Sequence, residues 1–193
     1  MKNLPNLLTF LRLAAAPLVG LVLALVAFGK VEAATWLPVS LALFTVACLT
    51  DVFDGLLARR FDLESVLGAV LDPVADKLLI LSTGLGLVLL IPSVWVFVPI
   101  LIMLGRDVLV SGLREAALTQ NWRLEVRGLG KLKTILQCVA FALVLAELSF
   151  TALGLRAAPS TLASPMTTAA LWLAAAVSAI SALDYTRAFL KHR

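Results

Sequence analysis

The sequence predicts an all-α membrane protein in which six transmembrane helices form a single domain over residues 1–193. Hydrophobic residues make up 61% of the 193 residues, whereas soluble domains contain about 45–50%. The mean hydropathy is +1.02. The apolar segments are continuous, without β-barrel alternation, and reach the roughly 20 residues that a bilayer core requires. Lipid is therefore the expected solvent for most of this chain.

Six apolar segments follow one another along the chain. They predict helices at roughly 5–28, 36–58, 68–90, 94–118, 132–154 and 166–188. Short connections with turn-forming residues separate them, as at Gly29, Pro92 and Pro159. The first segment has the basic start of a signal peptide, but its apolar run is too long and more membrane segments follow it. We therefore expect it to remain as the first span.

The distribution of Lys and Arg predicts that both ends of the chain face the cytoplasm. Of the 16 Lys and Arg residues, this orientation leaves Lys30 and Arg156 outside. The basic loops 59–67 and 119–131 then lie inside, as the positive-inside rule requires.

The residues available for chemistry are few. Cys48 and Cys138 lie in apolar segments and suggest neither a disulfide framework nor a metal site. The single histidine, His192, is next to last. No Ser or Cys is paired with a base in a way that suggests a covalent intermediate. Acid–base chemistry therefore falls to carboxylates or lysines.

Four aspartates lie where a membrane span should carry no charge. Asp51 and Asp54 are near the end of the second span, and Asp72 and Asp76 are near the start of the third. Charges inside spans are costly and indicate function. Helical geometry places each pair on one face, and the short connection 59–67 makes the helices antiparallel neighbours. The sequence therefore predicts that the four carboxylates converge near one membrane surface.

Converging carboxylates repel one another unless cations neutralise them. Hard divalent ions with oxygen ligands, Mg²⁺ or Mn²⁺, suit such a site, and two of them can clamp a phosphoryl group. One alternative is that headgroup water solvates four helix-end aspartates, although their shared faces argue against it. Another is a cation carrier, but the acidic cluster lies at one membrane face and we find no internal repeat.

The spacing of these residues resembles the motif of the CDP-alcohol phosphotransferase family. The matching pattern is Asp51-x2-Asp54-Gly55-x2-Ala58-Arg59-x8-Gly68-x3-Asp72-x3-Asp76. The resemblance implies a six-span enzyme that displaces CMP from a CDP-linked alcohol with a second alcohol. It implies that Asp51, Asp54 and Asp72 hold two metal ions. It also implies that Asp76 is the base for the incoming hydroxyl, and whether Asp76 also binds a metal stays open. The residues that it places around the CDP-linked donor are Asp51, Asp54, Gly55, Ala58, Arg59 and Gly68.

Basic residues outside this motif predict a pocket for a phosphate on the acceptor. Arg106 and Arg114 are separated by about 80° on the fourth span, and Lys131 and Lys133 open the fifth. Guanidinium forks match a phosphate with two hydrogen bonds, and lysines add point charge. The alternative for the two lysines is that they do not bind phosphate and only anchor the cytoplasmic end of the fifth span, as the positive-inside rule describes.

Segments 5–12, 105–115 and 130–137 resemble the bacterial members of the family that use CDP-diacylglycerol and sn-glycerol 3-phosphate. Inositol phosphate and phosphatidylglycerol stay open as acceptors. The resemblance implies a homodimer in the bacterial inner membrane, with the active site facing the cytoplasm, membrane lipids around it and no nucleic-acid partner. It adds four supporting positions: Thr9, Arg12, Asp107 and Thr134. Asp107 departs from the glutamate expected after the arginine, which shortens the side chain but keeps its charge.

Overall fold

The computed structural model describes residues 4–61, 66–120, 122, 124, 128–155 and 164–191, with side chains described in these ranges except at 4–8, 51–70 and 129. The helices in these ranges are α1 (Leu4–Ala27), α2 (Ala33–Phe61), α3 (Val66–Leu90), α4 (Val94–Thr119), α5 (Gly128–Ala152) and α6 (Pro165–Lys191). No strand occurs in this part of the chain. All six helices are long and apolar enough to cross a membrane. The predicted all-α class with six spans is confirmed, and the chain is a multi-pass membrane protein.

Several helices extend beyond the spans that hydropathy predicts, among them α6, which continues past 188 to Lys191. Helix α2 continues past 58 to Phe61, and α5 begins at Gly128 instead of 132. Backbone hydrogen bonds within a helix do not depend on apolar side chains, so a helix can continue where its residues become charged. The predicted spans therefore mark the apolar part of each helix, and every helix except α1 is longer than its predicted span.

The helices pack around a shared apolar core. Helix α1 lies along α3 and also contacts α2, while α2 contacts α5, and α6 lies against both α4 and α5. Phe44 of α2 and Phe141 of α5 are fully buried, with ring centroids 6.2 Å apart. The core brings α2 and α5 together across the middle of the bundle.

Two glycines allow α1 and α3 to approach closely. A Cβ atom on Gly20 would lie 2.8 Å from Cβ of Ser82, and one on Gly86 would lie 2.6 Å from Cβ of Leu23. Real Cβ atoms do not come this near, so a side chain at either glycine would separate the helices. Small residues at helix contacts of this kind are typical of membrane proteins. This contact brings the start of α1 alongside the start of α3.

A buried carboxylate joins α5 to the start of α6. Glu147 is 6% exposed. Its Oε1 accepts from the backbone N–H of Ser164 at 3.0 Å, and its Oε2 accepts from Thr167 Oγ1 at 2.6 Å and from Ser164 Oγ at 2.9 Å. The first N–H groups of a helix have no partner within the helix, and Glu147 therefore provides an acceptor at the start of α6. We call Glu147, Ser164 and Thr167 the Glu147 cluster.

Candidate functional site

Most of the predicted site residues lie at one end of the bundle, opposite the Glu147 cluster. This end is formed by the starts of α1, α3 and α5 and by the ends of α2, α4 and α6. The backbone of α2 is helical through Phe61. The predicted site residues whose side chains lie outside the described part are Asp51, Asp54, Gly55, Ala58, Arg59 and Gly68.

The first turns of α3 carry Asp72 and Asp76, one helical turn apart and both half-buried. Thr9 of α1 is 3% exposed, and its Oγ1 donates a hydrogen bond to Asp72 Oδ1 at 2.6 Å. Arg12, also buried, lies one turn further along α1. Helix α1 thus fixes the orientation of the Asp72 carboxylate through a hydrogen bond to Oδ1.

The donor atoms on α3 fit a hard divalent cation. Carboxylate oxygens are the ligands that Mg²⁺ and Mn²⁺ prefer, and a hydroxyl bonded to a liganding carboxylate is a common way to orient it. Among the described side chains no three His, Cys, Asp or Glu residues form a metal-binding group. Asp51 and Asp54, the remaining predicted ligands, lie outside those side chains, so the complete ligand set stays a prediction.

A second group of charged residues is buried between α4, α5 and α6. We call Arg106, Asp107, Arg114, Lys133, Gln137, Ser181 and Tyr185 the cationic cluster. Lys133 Nζ donates to Asp107 Oδ1 at 2.7 Å, to Asp107 Oδ2 at 2.9 Å and to Gln137 Oε1 at 2.9 Å. Arg106 Nη1 donates to the same Asp107 Oδ1 at 3.0 Å. Asp107 therefore joins the cations of α4 and α5.

Helix α6 supplies the polar groups on the other side of the two arginines. Arg106 Nη2 donates to Ser181 Oγ at 2.7 Å, and Arg114 Nη2 donates to the Tyr185 hydroxyl at 3.1 Å. Each guanidinium carbon also lies 5.4 Å from the centroid of the Tyr185 ring. Arg106 and Arg114, separated on the helix by about 80°, thus meet on one tyrosine.

The cationic cluster combines burial with an excess of positive charge. Arg106, Asp107 and Lys133 are 8%, 7% and 6% exposed. In the contacts of the described side chains, Asp107 is the only carboxylate of the cluster, which also holds Arg106, Arg114 and Lys133. The Nε atoms of Arg106 and Arg114 are buried and have no hydrogen-bond partner among the described residues. Buried donors left unpaired are costly. An anion bound here would supply both negative charge and acceptor atoms.

A polar link connects α3 to the cationic cluster. Lys77, directly after Asp76, donates from Nζ to Ser111 Oγ, and Ser111 Oγ donates to the backbone carbonyl of Asp107 at 2.6 Å. The carboxylates of α3 and the cations of α4 therefore lie at the same level of the bundle. Chemistry at the carboxylates and anion binding at the cluster can serve one site.

The structure separates two residues that the sequence pattern had grouped. Lys133 is buried in the cationic cluster, whereas Lys131 is exposed. Thr134 bonds within its own helix, from Oγ1 to the Gly130 carbonyl at 3.4 Å. Of the two lysines proposed for acceptor binding, the described contacts therefore bring only Lys133 to the arginines.

Sequence reasoning missed the residues of α6. Ser181 and Tyr185 are one turn apart, which is a signal that was available, because two polar side chains on one face of an apolar span indicate a shared environment. Gln137 and Lys77 were not assigned either. The sequence did not indicate which helix packs against α4, and this helix is α6.

A model of the CDP-alcohol phosphatidyltransferase family matches residues 2–183. The chain is 41% identical over 147 residues to a protein of Cereibacter sphaeroides named CDP-diacylglycerol–glycerol-3-phosphate 3-phosphatidyltransferase. It is 41% identical over 149 residues to proteins of the same name from Escherichia coli K12 and Shigella flexneri.

These matches cover much of this chain but not all of each relative. They include 74% of this chain, 62% of the Cereibacter protein and 76% of the Escherichia protein. The chain thus matches less than two thirds of the length of the Cereibacter relative. The predicted resemblance to a family is confirmed.

Proposed function

The chain belongs to the CDP-alcohol phosphatidyltransferase family, and from this membership we propose that it transfers the phosphatidyl group of CDP-diacylglycerol to sn-glycerol 3-phosphate, with release of CMP. The relatives named for this reaction support both substrates. We further propose that the protein acts as a homodimer in the bacterial inner membrane and that its site faces the cytoplasm, as the distribution of basic residues favours.

The buried, positively charged surroundings of Arg106 are the single observation that best supports a phosphate-bearing acceptor. Arg106 is 8% exposed, and its Nη1 and Nη2 are held by Asp107 and Ser181. A side chain fixed in this way loses little entropy when it binds a ligand. Its Nε has no partner among the described residues. Glycerol 3-phosphate carries the oxygen acceptors that such a donor requires.

The contacts of Arg106 also match the simpler interpretation that it only pairs with its neighbours. A pairing role alone needs one anion for each cation. Among the described residues, Arg106 and Lys133 instead share the single carboxylate of Asp107, and the nearby Arg114 contacts Tyr185. Helix packing does not require three cations beside one described carboxylate, and burying unpaired charge is costly. The excess charge therefore supports a site for an anionic ligand.

The donor diphosphate is proposed to lie beside the aspartates of α2 and α3. Asp51, Asp54 and Asp72 would hold two Mg²⁺ or Mn²⁺ ions. Asp76 is the proposed base, and whether it also binds a metal ion stays open. Such ions supply charge neutralisation of the diphosphate and of the leaving CMP. Thr9 holds Asp72 in place through the bond to Oδ1. Gly55, Ala58, Arg59 and Gly68 are proposed to surround the donor.

The reaction needs one proton transfer by the protein. Asp76 is proposed to accept the proton of the glycerol 3-phosphate C1 hydroxyl as its oxygen attacks the β-phosphorus of CDP-diacylglycerol. The new bond joins this oxygen to phosphorus, and the bond to CMP breaks. Arg106 and Arg114 hold the phosphate of the acceptor, which fixes the distance of its hydroxyl from the donor. Orientation of this kind contributes strongly to the rate of a two-substrate reaction.

An acceptor panel tests the proposal directly. Purified protein in detergent receives CDP-diacylglycerol and Mg²⁺ together with glycerol 3-phosphate, inositol phosphate or phosphatidylglycerol, and CMP release is measured. We expect release with glycerol 3-phosphate, its loss in EDTA and its return with Mg²⁺ or Mn²⁺. A clear preference for another acceptor would overturn the assignment, and activity in EDTA would overturn the metal proposal.

A further inference from the structure

The end of α6 carries a tyrosine that both arginines of the cationic cluster contact. Tyr185 is 1% exposed, and no part of the sequence motif includes it. Arg106 and Arg114 each place the guanidinium carbon 5.4 Å from its ring centroid. A cation within about 6 Å of an aromatic face is attracted by the ring electrons. One ring therefore stabilises two like charges that would otherwise repel each other.

The hydroxyl of Tyr185 adds direction to this contact. It accepts a hydrogen bond from Arg114 Nη2 at 3.1 Å. One turn earlier on the same face, Ser181 Oγ accepts from Arg106 Nη2 at 2.7 Å. Each guanidinium is thus held by α6 through one hydrogen bond and by the ring through its face. The Nε atom of each arginine is buried and has no hydrogen-bond partner among the described residues.

Helix α5 leaves space for the tyrosine hydroxyl. A Cβ atom on Gly130 would lie 3.0 Å from the hydroxyl oxygen of Tyr185 and 3.7 Å from Arg106 Nη2. The first distance is tighter than ordinary contacts, so an alanine here would push against the hydroxyl. Gly130 and Tyr185 therefore fit together next to the arginines.

We propose that Tyr185 is a positioning residue that sets the spacing and orientation of Arg106 and Arg114 for the phosphate of the acceptor. This inference rests on the proposed function. Tyr185 acts through the two arginines and does not itself take part in the reaction. Its loss is expected to weaken the acceptor site selectively, because the contacts described for it lead to the arginines and not to the carboxylates of α3.

The test separates the hydroxyl from the ring. Tyr185→Phe removes the bond to Arg114 and keeps the ring, and we expect the acceptor KM to rise about tenfold, the effect of one hydrogen bond to a charged group. Tyr185→Leu also removes the ring, and a cation–π contact adds roughly three- to thirtyfold. The KM for CDP-diacylglycerol should stay within about twofold, since no proposed donor contact changes.

Phe189→Leu provides a matched control. Phe189 is also an aromatic residue of α6, one turn beyond Tyr185, and it packs against Trp122 with ring centroids 5.7 Å apart. Its replacement removes a similar apolar ring without touching either arginine. We expect it to leave both KM values near those of the unmodified protein. If it raises the acceptor KM as much as Tyr185→Leu does, the effect is one of helix packing and the proposal is wrong.

A double substitution tests the fit with Gly130. Gly130→Ala should raise the acceptor KM because its methyl group would displace the hydroxyl of Tyr185. In the Tyr185→Phe protein that hydroxyl is absent, so Gly130→Ala should have a smaller effect there. Equal effects in both backgrounds would contradict the proposed contact.

The outcomes distinguish this inference from the proposed function. If the unmodified protein releases no CMP with glycerol 3-phosphate, the proposed function fails and this inference fails with it. If it does, and Tyr185→Phe leaves the acceptor KM unchanged or raises both KM values equally, only the role of Tyr185 is overturned. Should Tyr185→Leu not accumulate as folded protein, Tyr185→Phe, which keeps the buried ring, decides the question.

Discussion

The two ends of the bundle both bury charged side chains, and they do so in different ways. At one end, the carboxylate of Glu147 accepts hydrogen bonds from the backbone and hydroxyl of Ser164 and from the hydroxyl of Thr167. At the other, Arg106 and Lys133 share Asp107 while Arg114 contacts Tyr185, and the Nε atoms of both arginines have no partner among the described residues. The donors around Glu147 are paired within the protein, whereas the cationic cluster contains two buried N–H donors without a partner among the described residues.

This difference limits what a buried charge in a membrane helix indicates. Such charges are expensive and are therefore taken as functional by default. Glu147 has a structural explanation, because it caps the start of α6 where N–H groups lack partners. No capping role of this kind explains the charges of the cationic cluster. How far the neighbours satisfy a buried charge is thus more informative than burial itself.

The largest expected effect concerns the aspartates of α2 and α3, at the end of the bundle that also holds the cationic cluster. Asp72→Asn should abolish turnover, and Asp51→Asn and Asp54→Asn should do the same, because a neutral amide lacks the negative charge and the second ligand oxygen of a carboxylate. CMP release by purified variants measures this. Glu147→Gln is the matched control at the opposite end, and its activity should stay near normal.

If Asp72→Asn retained more than about a tenth of the rate, equivalent to a barrier change below about 1.4 kcal/mol, the ligand assignment would be wrong. If Glu147→Gln were as inactive as Asp72→Asn while remaining folded, the two ends would not differ in the way that their contacts indicate.

The next effect concerns Arg106. Arg106→Ala should raise the acceptor KM by roughly 10- to 150-fold, since a hydrogen bond to a charged group is worth about 1.5–3 kcal/mol. Donor KM should change little. Arg106→Lys should recover only part of the loss, because an ammonium cannot reproduce the guanidinium fork. A folded Arg106→Ala protein with an unchanged acceptor KM would show that Arg106 only pairs with Asp107 and Ser181.

A smaller effect, and one on stability alone, is expected at the opposite end. Glu147→Ala leaves the Ser164 N–H without its acceptor and leaves the Thr167 hydroxyl with the Ser164 carbonyl alone, at a cost of about 1–3 kcal/mol. Thermal unfolding in detergent should occur at lower temperature, with both KM values unchanged in the folded fraction. Glu147→Gln keeps one acceptor oxygen, so its unfolding temperature should lie between those of Glu147→Ala and the unmodified protein. A selective change in acceptor KM would give this end a functional role.

The smallest effect is expected at Thr9. Thr9→Val removes the hydroxyl that donates to Asp72 Oδ1, and the loss of one such bond to a carboxylate should lower kcat by about tenfold. Thr9→Ser keeps the hydroxyl and should retain most of the activity. If Val and Ser were equally active, orientation of Asp72 by α1 would be unnecessary for the reaction.

Much of the site could be predicted because its residues are close together in the chain. Asp72 and Asp76 share a helix face by their spacing alone, and both lie on the first turns of α3 in the structure. The family motif depends on the same local spacing, and the family is confirmed. Thr9 was named as a supporting residue, but its bond to Asp72 depends on how α1 packs on α3, which no local pattern states.

The sequence by itself determined the six spans and the family, because a helix in lipid satisfies its backbone within one segment and needs only a sufficient apolar length. Tertiary structure decided which polar side chains meet. The glycine contacts Gly20–Ser82 and Gly86–Leu23 bring α1 close enough for Thr9 to reach Asp72. The packing of α6 against α4 and α5 places Tyr185 on both arginines. Those meetings depend on side-chain fit between helices distant in the chain, which hydropathy and local spacing do not encode.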